Sequence, residues 1–256
     1  MSMMTQPSNA VLKAFEILEL FRDQPYLTPS ECAAQLNMPR TTAHRMLVTL
    51  RHAGMLEATP DGRYSMAMQM FELGSWAPQV KRLNDVATRH LLLLREMTGL
   101  VVHLAVRDRN SLLYLMKAHR TVDGLPTGIG RRGPLHATGL GKALLAAMPE
   151  EEARAIFEQT GRAFTPYTHR TWDSLSESLA EIRRTGFSFD IEERKMGVCC
   201  LATAIRDAEG TAIAALSVVG PANAYRDKLA DFRAPLARAA SAIAREFVRR
   251  PADVAS

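Results

Sequence analysis

Two stretches of this chain hold residues whose types and spacing could do chemistry. Between residues 40 and 52 lie Arg40, Thr41, Thr42, His44, Arg45, Thr49, Arg51 and His52, and no acid occurs between Glu31 and Glu57. Guanidinium and hydroxyl groups at that density suit phosphate oxygens and base edges. The second stretch, Ala137-Thr-Gly-Leu-Gly-Lys142, runs from a loop into a helix. Free N–H groups at a helix start, with glycine allowing close approach, suit a carboxylate.

Other suggestive patterns fail on their context. Gly128-Ile-Gly130-Arg-Arg-Gly133 matches GxGxxG, but Pro134 follows the third glycine and the required strand, helix and distant acid are not in place. Gly139-Leu-Gly141-Lys142 hints at a phosphate loop, yet His136 stands at the first glycine position and Ala143 where a hydroxyl should meet magnesium. The histidines at 44, 52, 90, 103, 119, 136 and 169 are scattered without metal-ligand spacing, so neither a metal nor another cofactor is expected. Cys200 could act as a nucleophile only beside a base, and the sequence places none. A Cys200-based hydrolase fused to a DNA reader is the rival reading. Small apolar filling of a buried strand is the simpler use of Cys199-Cys200.

The first stretch needs a helix to present it. Ala43, Met46, Leu47 and Leu50 recur at i, i+3, i+4, i+7, which predicts a helix over 40–54 with one buried face. Thr41, Arg45, Val48 and His52 then point the other way, flanked by Thr42, His44 and Thr49. Asn37-Met38-Pro39 supplies the turn before it and Gly54 the stop. Thr28-Pro29-Ser30-Glu31 reads as a capping box opening an earlier helix that turns Cys32, Ala33 and Leu36 inward. A first helix over 9–22 is expected to bury Val11, Ala14, Ile17, Leu18 and Phe21. Residues 55–59 and 63–66 flank Pro60-Asp61-Gly62, a hairpin signal. That order of elements is a winged helix-turn-helix, whose second helix fits the DNA major groove. Arg45 with Thr41 and Thr42 would meet bases or phosphate. Arg40 and Arg63 would meet phosphate, and Thr28, His44 and Thr49 complete the candidate DNA-binding set.

Downstream, an apolar helix is expected over 66–77 and a longer amphipathic one over 80–98, with Leu83, Val86, Ala87, Leu91, Leu94 and Met97 as its stripe. Runs 100–106 and 111–117 flank a polar turn, and so do 199–205 and 211–219, giving two β-hairpins. Helices are expected near 138–148, 150–160 and 173–185. A last helix buries Leu236, Ala240, Ile243 and Phe247, with Pro235 beginning or kinking it. Hairpins alternating with helices indicate an α+β fold with a mostly antiparallel sheet.

The bulk numbers agree with two modest domains. The chain has 256 residues, 47% hydrophobic and 23% charged, the composition of an ordinary globular protein. Its net charge of +5 suits a polyanion partner. Residues 1–66, however, carry six basic and six acidic side chains, so DNA binding rests on where the arginines stand. Three cysteines, an odd and sparse count, point to a reducing cytosol, and a cytoplasmic location is expected. Glu16 and Glu19 interrupt any leader-like apolar run, and Arg206, Asp207 and Glu209 break the apolar stretch 199–220, so no membrane association is expected.

Several motifs together resemble one family. Asn9-Ala-Val-Leu-Lys-Ala-Phe-Glu-Ile-Leu-Glu-Leu-Phe21, Pro39-Arg-Thr-Thr-Ala-His-Arg45 and Asp61-Gly-Arg-Tyr64 look like the DNA-binding part of the isocitrate lyase regulator (IclR) family of bacterial transcription factors. Pro134-Leu-His-Ala-Thr-Gly-Leu-Gly-Lys-Ala-Leu-Leu-Ala146, Arg183-Arg-Thr-Gly-Phe-Ser-Phe-Asp-Ile-Glu192 and Leu216-Ser-Val-Val-Gly-Pro221 resemble its effector domain. The likeness spans residues 9–248. It implies a winged helix-turn-helix over 8–66, a linker helix over 67–79, and a GAF-like effector-binding and oligomerisation domain over 80–250. It also implies a ligand-responsive regulator, more a repressor than an activator, of a catabolic operon. Such a protein would act as a homodimer or homotetramer on a palindromic double-stranded operator, without enzymatic activity.

The resemblance further implies an effector site for a small carboxylic acid. The amides of Gly139 and Leu140 would grip the acid. Asp190 would form a polar wall, Val198 an apolar one, Cys200 would place a thiol at the ligand and Ser217 a hydroxyl. Some acid-binding members carry a second serine where this chain has Val219. That departure removes a donor and shifts the expected effector from a two- or three-carbon keto acid towards a larger, partly aromatic one.

Overall fold

The computed structural model describes residues 6–118 and 127–249; His119 lies outside them. The chain divides into two units, the first ending at Ala77 and the second starting at Pro78.

The first unit is built from α1 (Asn9–Leu20), α2 (Pro29–Gln35), α3 (Arg40–His52), β1 (Leu56–Ala58), β2 (Tyr64–Met66) and α4 (Met68–Ser75). Cap chemistry starts α2. The Thr28 N–H donates to Glu31 Oε2 at 2.7 Å and the Glu31 N–H donates to Thr28 Oγ1 at 3.2 Å, with Pro29 at the first helical position. Asn37, at φ 47°, makes the left-handed turn into α3. Ala43, Leu47 and Leu50 of α3 close onto Ile17 and Leu18 of α1 and Cys32 and Ala33 of α2. Gly62, at φ 81°, turns the wing, where a side chain would be strained. Leu27 and Tyr64 exchange backbone hydrogen bonds of 3.1 and 2.8 Å, which ties the wing to the start of α2.

One expectation for this unit needs correction. Val11 is exposed, as are Leu12 and Phe15. The C-terminal part of α1 covers the core, and among the described residues nothing buries Val11, Leu12 or Phe15. In α4, Met70 packs on the core but no residue is buried, and Phe71 is 72% exposed. The helix falls within the first unit.

The second unit contains α5 (Pro78–Thr98), β3 (Val101–Asp108), β4 (Ser111–Ala118), β5 (Arg132–Gly133), α6 (Gly139–Leu145), α7 (Glu150–Thr160), α8 (Trp172–Thr185), β6 (Ser188–Ile191), β7 (Val198–Arg206), β8 (Ala212–Pro221), α9 (Ala222–Tyr225), a 3-10 turn (Leu229–Phe232) and α10 (Arg233–Arg249). The strands form one antiparallel sheet in the order β5-β4-β3-β8-β7-β6. Helices cover both of its faces, so the strands read as near-continuous apolar runs. Val102, Leu104, Cys199, Leu201, Leu216 and Val218 pack with α5 and α10. Val101, Ala105, Cys200, Ala202, Ala215 and Val219 alternate with them and pack with α6, α7 and α8.

Met97 is exposed, contrary to its place in the expected stripe. Thr98, four residues after Leu94, takes the inward position and donates to the Leu94 carbonyl at 2.8 Å. Pro235 sits in the first turn of α10, where a missing N–H costs nothing. β5 and β6 are additions to the expected elements; both are too short to show a period.

Candidate DNA-binding face and ligand cavity

Helix α3 displays the first set of residues. Its buried stripe rotates Arg40, Thr41, His44, Arg45, Val48, Thr49, Arg51 and His52 into solvent, with Thr42 half-buried beside them. Among the described residues no carboxylate pairs with Arg40, Arg45 or Arg51. The Thr49 hydroxyl donates back to the Arg45 carbonyl at 2.8 Å. Two members of the candidate set are engaged otherwise. The Thr28 hydroxyl is held by Glu31, in the cap. Arg63 lies in the wing turn with its Nε 3.3 Å from Asp61 Oδ2, an exposed pair that a phosphate could replace.

The second unit brings Gly139, Leu140, Asp190, Val198, Cys200, Ser217 and Val219 to one narrow cavity of about 40 Å3. Strand register does this. Asp190 pairs with Cys200 across β6–β7, Cys200 with Val219 across β7–β8, and Ser217 with His103 across β8–β3. These side chains share the sheet face that α6 covers. Helix α6 can lie so close because it begins with glycines. A Cβ on Gly139 would stand 2.8 Å from Cys200 Sγ, and one on Gly141 would stand 2.2 Å from the Leu135 carbonyl oxygen. Thr138 caps the helix by accepting the Gly141 N–H at 3.1 Å.

Residues not foreseen from sequence complete the lining: His103, Tyr114, Thr127, Arg132, Gly133, Thr138, Arg194 and Lys195. Arg132 and Gly133 come from the rejected GxGxxG motif, which is a turn and the short strand β5. A lone histidine in the apolar run 100–106 was the one available signal for His103. A wider groove of about 590 Å3 lies between α5 and α10, lined by Leu93, Met97, Pro235 and Ala239 among others. Among the described residues no unpartnered buried polar atom faces that groove, so the narrow cavity is the better ligand site.

The cavity is electrostatically unusual. Burial pushes the Asp190 carboxyl up to about 7, and neighbouring Glu193 adds to the shift. Burial and the Lys117 charge push His103 down to about 3, so its imidazole is neutral. The Cys200 thiol is driven far above its ordinary range by burial and by Asp190. A thiol held protonated in this way is a poor nucleophile. Behind the cavity, Lys142 is 1% exposed and its Nζ pairs with Glu193 Oε1. Glu193 in turn donates its N–H to Asp190 Oδ1 at 2.8 Å. His169 stands 3.8 Å from the other Glu193 oxygen and, lowered to about 4 by burial and Lys142, is neutral. Among the described residues no group of three or more His, Cys, Asp or Glu is placed to hold a metal ion, and no helix is long and apolar enough to cross a membrane.

A winged helix-turn-helix joined to a domain with a buried polar cavity defines a class: transcription regulators with a ligand-sensing module. The IclR helix-turn-helix model matches residues 10–60, and the bacterial transcriptional regulator IclR C-terminal model matches 79–245. The chain belongs to the IclR family of transcriptional regulators. It is 32% identical over 241 residues to the HTH-type transcriptional regulator XynR of Escherichia coli K12, covering 92% of this chain and 96% of XynR. It is 32% identical over 222 residues to the transcriptional repressor IclR of the same organism, covering 84% and 80%. A structure of an IclR homologue from Microbacterium hydrocarbonoxydans, complexed with 4-hydroxybenzoate, superposes with a TM-score of 0.87 at 26% identity over 94% of this chain and all of that one.

Proposed function

We propose that this regulator represses a catabolic operon in the cytoplasm and is controlled by a small organic acid held in the cavity of its second unit. The observation that carries the reading is the surface of α3, which offers Arg40, Arg45 and Arg51 without partners among the described residues on a helix shaped for a major groove. Arg45, Thr41, Thr42, His44 and Thr49 contact bases or nearby phosphate. Arg40 and Arg63 contact phosphate, and Thr28 contributes by fixing the start of α2. One short helix reads few base pairs, so two or four copies act on a palindromic site. The exposed apolar side chains Val11, Leu12, Phe15, Phe71, Leu73 and Trp76 of the first unit supply surface for that assembly. Several relatives are named as repressors, among them the acetate operon repressor of Salmonella typhimurium LT2.

In the cavity, the Gly139 and Leu140 amides hold the acid group, Ser217 and Asp190 offer polar contacts, and Val198, Cys200 and Val219 give apolar ones. A benzene-sized ligand occupies a cavity of about 150 Å3. At about 40 Å3 the described cavity fits a short acid, and an aromatic acid enters by displacing a wall. Acid binding shifts the population of arrangements that present paired α3 helices at operator spacing, by no more than its differential affinity for them. The protein performs no catalysis of its own; a buried Cys200 thiol held protonated beside Asp190 does not support the hydrolase alternative. The test is a footprint on the DNA upstream of the protein's own gene, repeated with a panel of carboxylic acids. Protection over a symmetric site, altered by at least one acid, is the expected result. Protection without sequence preference, or insensitivity to every acid, would reject the reading.

A further inference from the structure

We propose that His103 reads the uncharged end of the effector, selecting acids that carry a hydroxyl or carbonyl oxygen in addition to their carboxylate. This deepens the acid-sensing reading above and rests on it.

The placement is deliberate in chemical terms. His103 interrupts an apolar strand run, Val101-Val-His-Leu-Ala-Val106, on a position that faces the cavity. It is 1% exposed, and its Nε2 has no hydrogen-bond partner among the described residues. Its cross-strand neighbour Ser217 is fully buried, and among the described residues its Oγ has no hydrogen-bond partner either. Two adjacent buried polar groups left in this state are costly unless something in the cavity satisfies them. Tyr114 meets the imidazole edge-on, with ring centroids 5.3 Å apart, and fixes the ring's orientation.

The chemistry of the partner follows from the charges. Because burial and Lys117 keep the imidazole neutral, it offers one donor and one acceptor and no countercharge. Leu140, Val198 and Val219 give the cavity apolar walls, and the cations that line it, Arg132, Arg194 and Lys195, are available to a carboxylate, whereas the neutral His103 and Ser217 pair offers hydrogen bonds without charge. A hydroxyl can donate to or accept from His103 and Ser217, and a carbonyl oxygen can accept from both. A neutral oxygen therefore satisfies this pair, and a bare hydrocarbon end leaves it orphaned. Sites built to hydrogen-bond a ligand oxygen discriminate strongly against analogues lacking it. The competing account is a trapped water, for which the cavity has room.

Matched acid pairs separate these accounts: propionate against lactate and pyruvate, and benzoate against 4-hydroxybenzoate, titrated calorimetrically into the full-length protein. In the wild type at least one oxygenated acid is expected to bind tenfold or more tighter than its plain counterpart. In His103→Phe that ratio falls below about threefold, and His103→Gln restores part of it. Ser217→Ala reduces the ratio independently; should His103→Phe not fold, His103→Ala takes its place with the same fall expected. Equal affinity for both members of each pair in the wild type identifies a trapped water and overturns the proposal. So does a ratio preserved in folded His103→Phe, whatever Ser217→Ala does. Binding of no acid at all is a different result: it removes the acid-sensing reading and the role of His103 with it.

Discussion

The two working regions of this molecule use polar side chains in opposite ways. On α3 the arginines are exposed and, among the described residues, lack internal partners. In the second unit the polar groups are buried, neutral or paired: His103 at about 3, Asp190 at about 7, Lys142 against Glu193. An exposed guanidinium adds almost nothing to folding and is available to a polyanion. A buried polar cluster is costly to the fold and available only to a ligand that fits it. The first region can therefore be altered without harm to stability, whereas changes to the second disturb fold and recognition together.

The buried ion pair gives the largest expected break in that contrast. Lys142→Met leaves Glu193 enclosed without its partner and should cost about 3–5 kcal/mol in chemical denaturation. The double variant Lys142→Met with Glu193→Leu should recover most of that loss, because both charges are gone. Next comes Gly141→Ala. Its added methyl would press on the Leu135 backbone, and overpacking of that kind costs about 1–3 kcal/mol. Gly74→Ala in α4 meets open space and should be neutral or stabilising in the same denaturation experiment. In the first unit, Thr28→Ala removes the cap that starts α2 and should cost about 1 kcal/mol.

A pH series sharpens the comparison further. Asp190 has its pKa raised from 3.8 to about 7, so the folded state holds a proton that the unfolded chain has released. Its contribution is present below pH 3.8 and is lost as pH rises to about 7. Asp190→Asn should flatten the fall in melting temperature over that window. Glu193, raised by burial and opposed by Lys142, titrates beside it and will keep part of the slope. An unchanged slope in Asp190→Asn would mean that Asp190 is already ionised at low pH.

How much of this was legible in the sequence differs between the same two regions. The exposed face of α3 follows from one local period: Ala43, Leu47 and Leu50 face inward, so Arg45 faces outward. The capping box at Thr28 and Glu31 was equally local and is present as read. The cavity depends on register among four strands. No local pattern shows that His103 stands beside Ser217, or that Lys142 reaches Glu193. Motif resemblance led to seven of the lining residues; those outside the motifs, His103 and Tyr114 among them, had no signal beyond a polar residue in an apolar run. Val11 and Met97 lie on apolar stripes yet are exposed for a related reason: periodicity identifies a stripe, while the length of the surface beneath it decides how much is covered.

The central claim is that the arginine-bearing side of α3 reads operator DNA, and Arg45 tests it most directly. Operator affinity should be measured by fluorescence anisotropy at fixed salt for the wild type and Arg45→Ala, alongside melting curves for both. The account expects specific binding to weaken by about 1–3 kcal/mol, or about 5- to 150-fold, with no change in stability. An operator affinity equal to that of the wild type would contradict it.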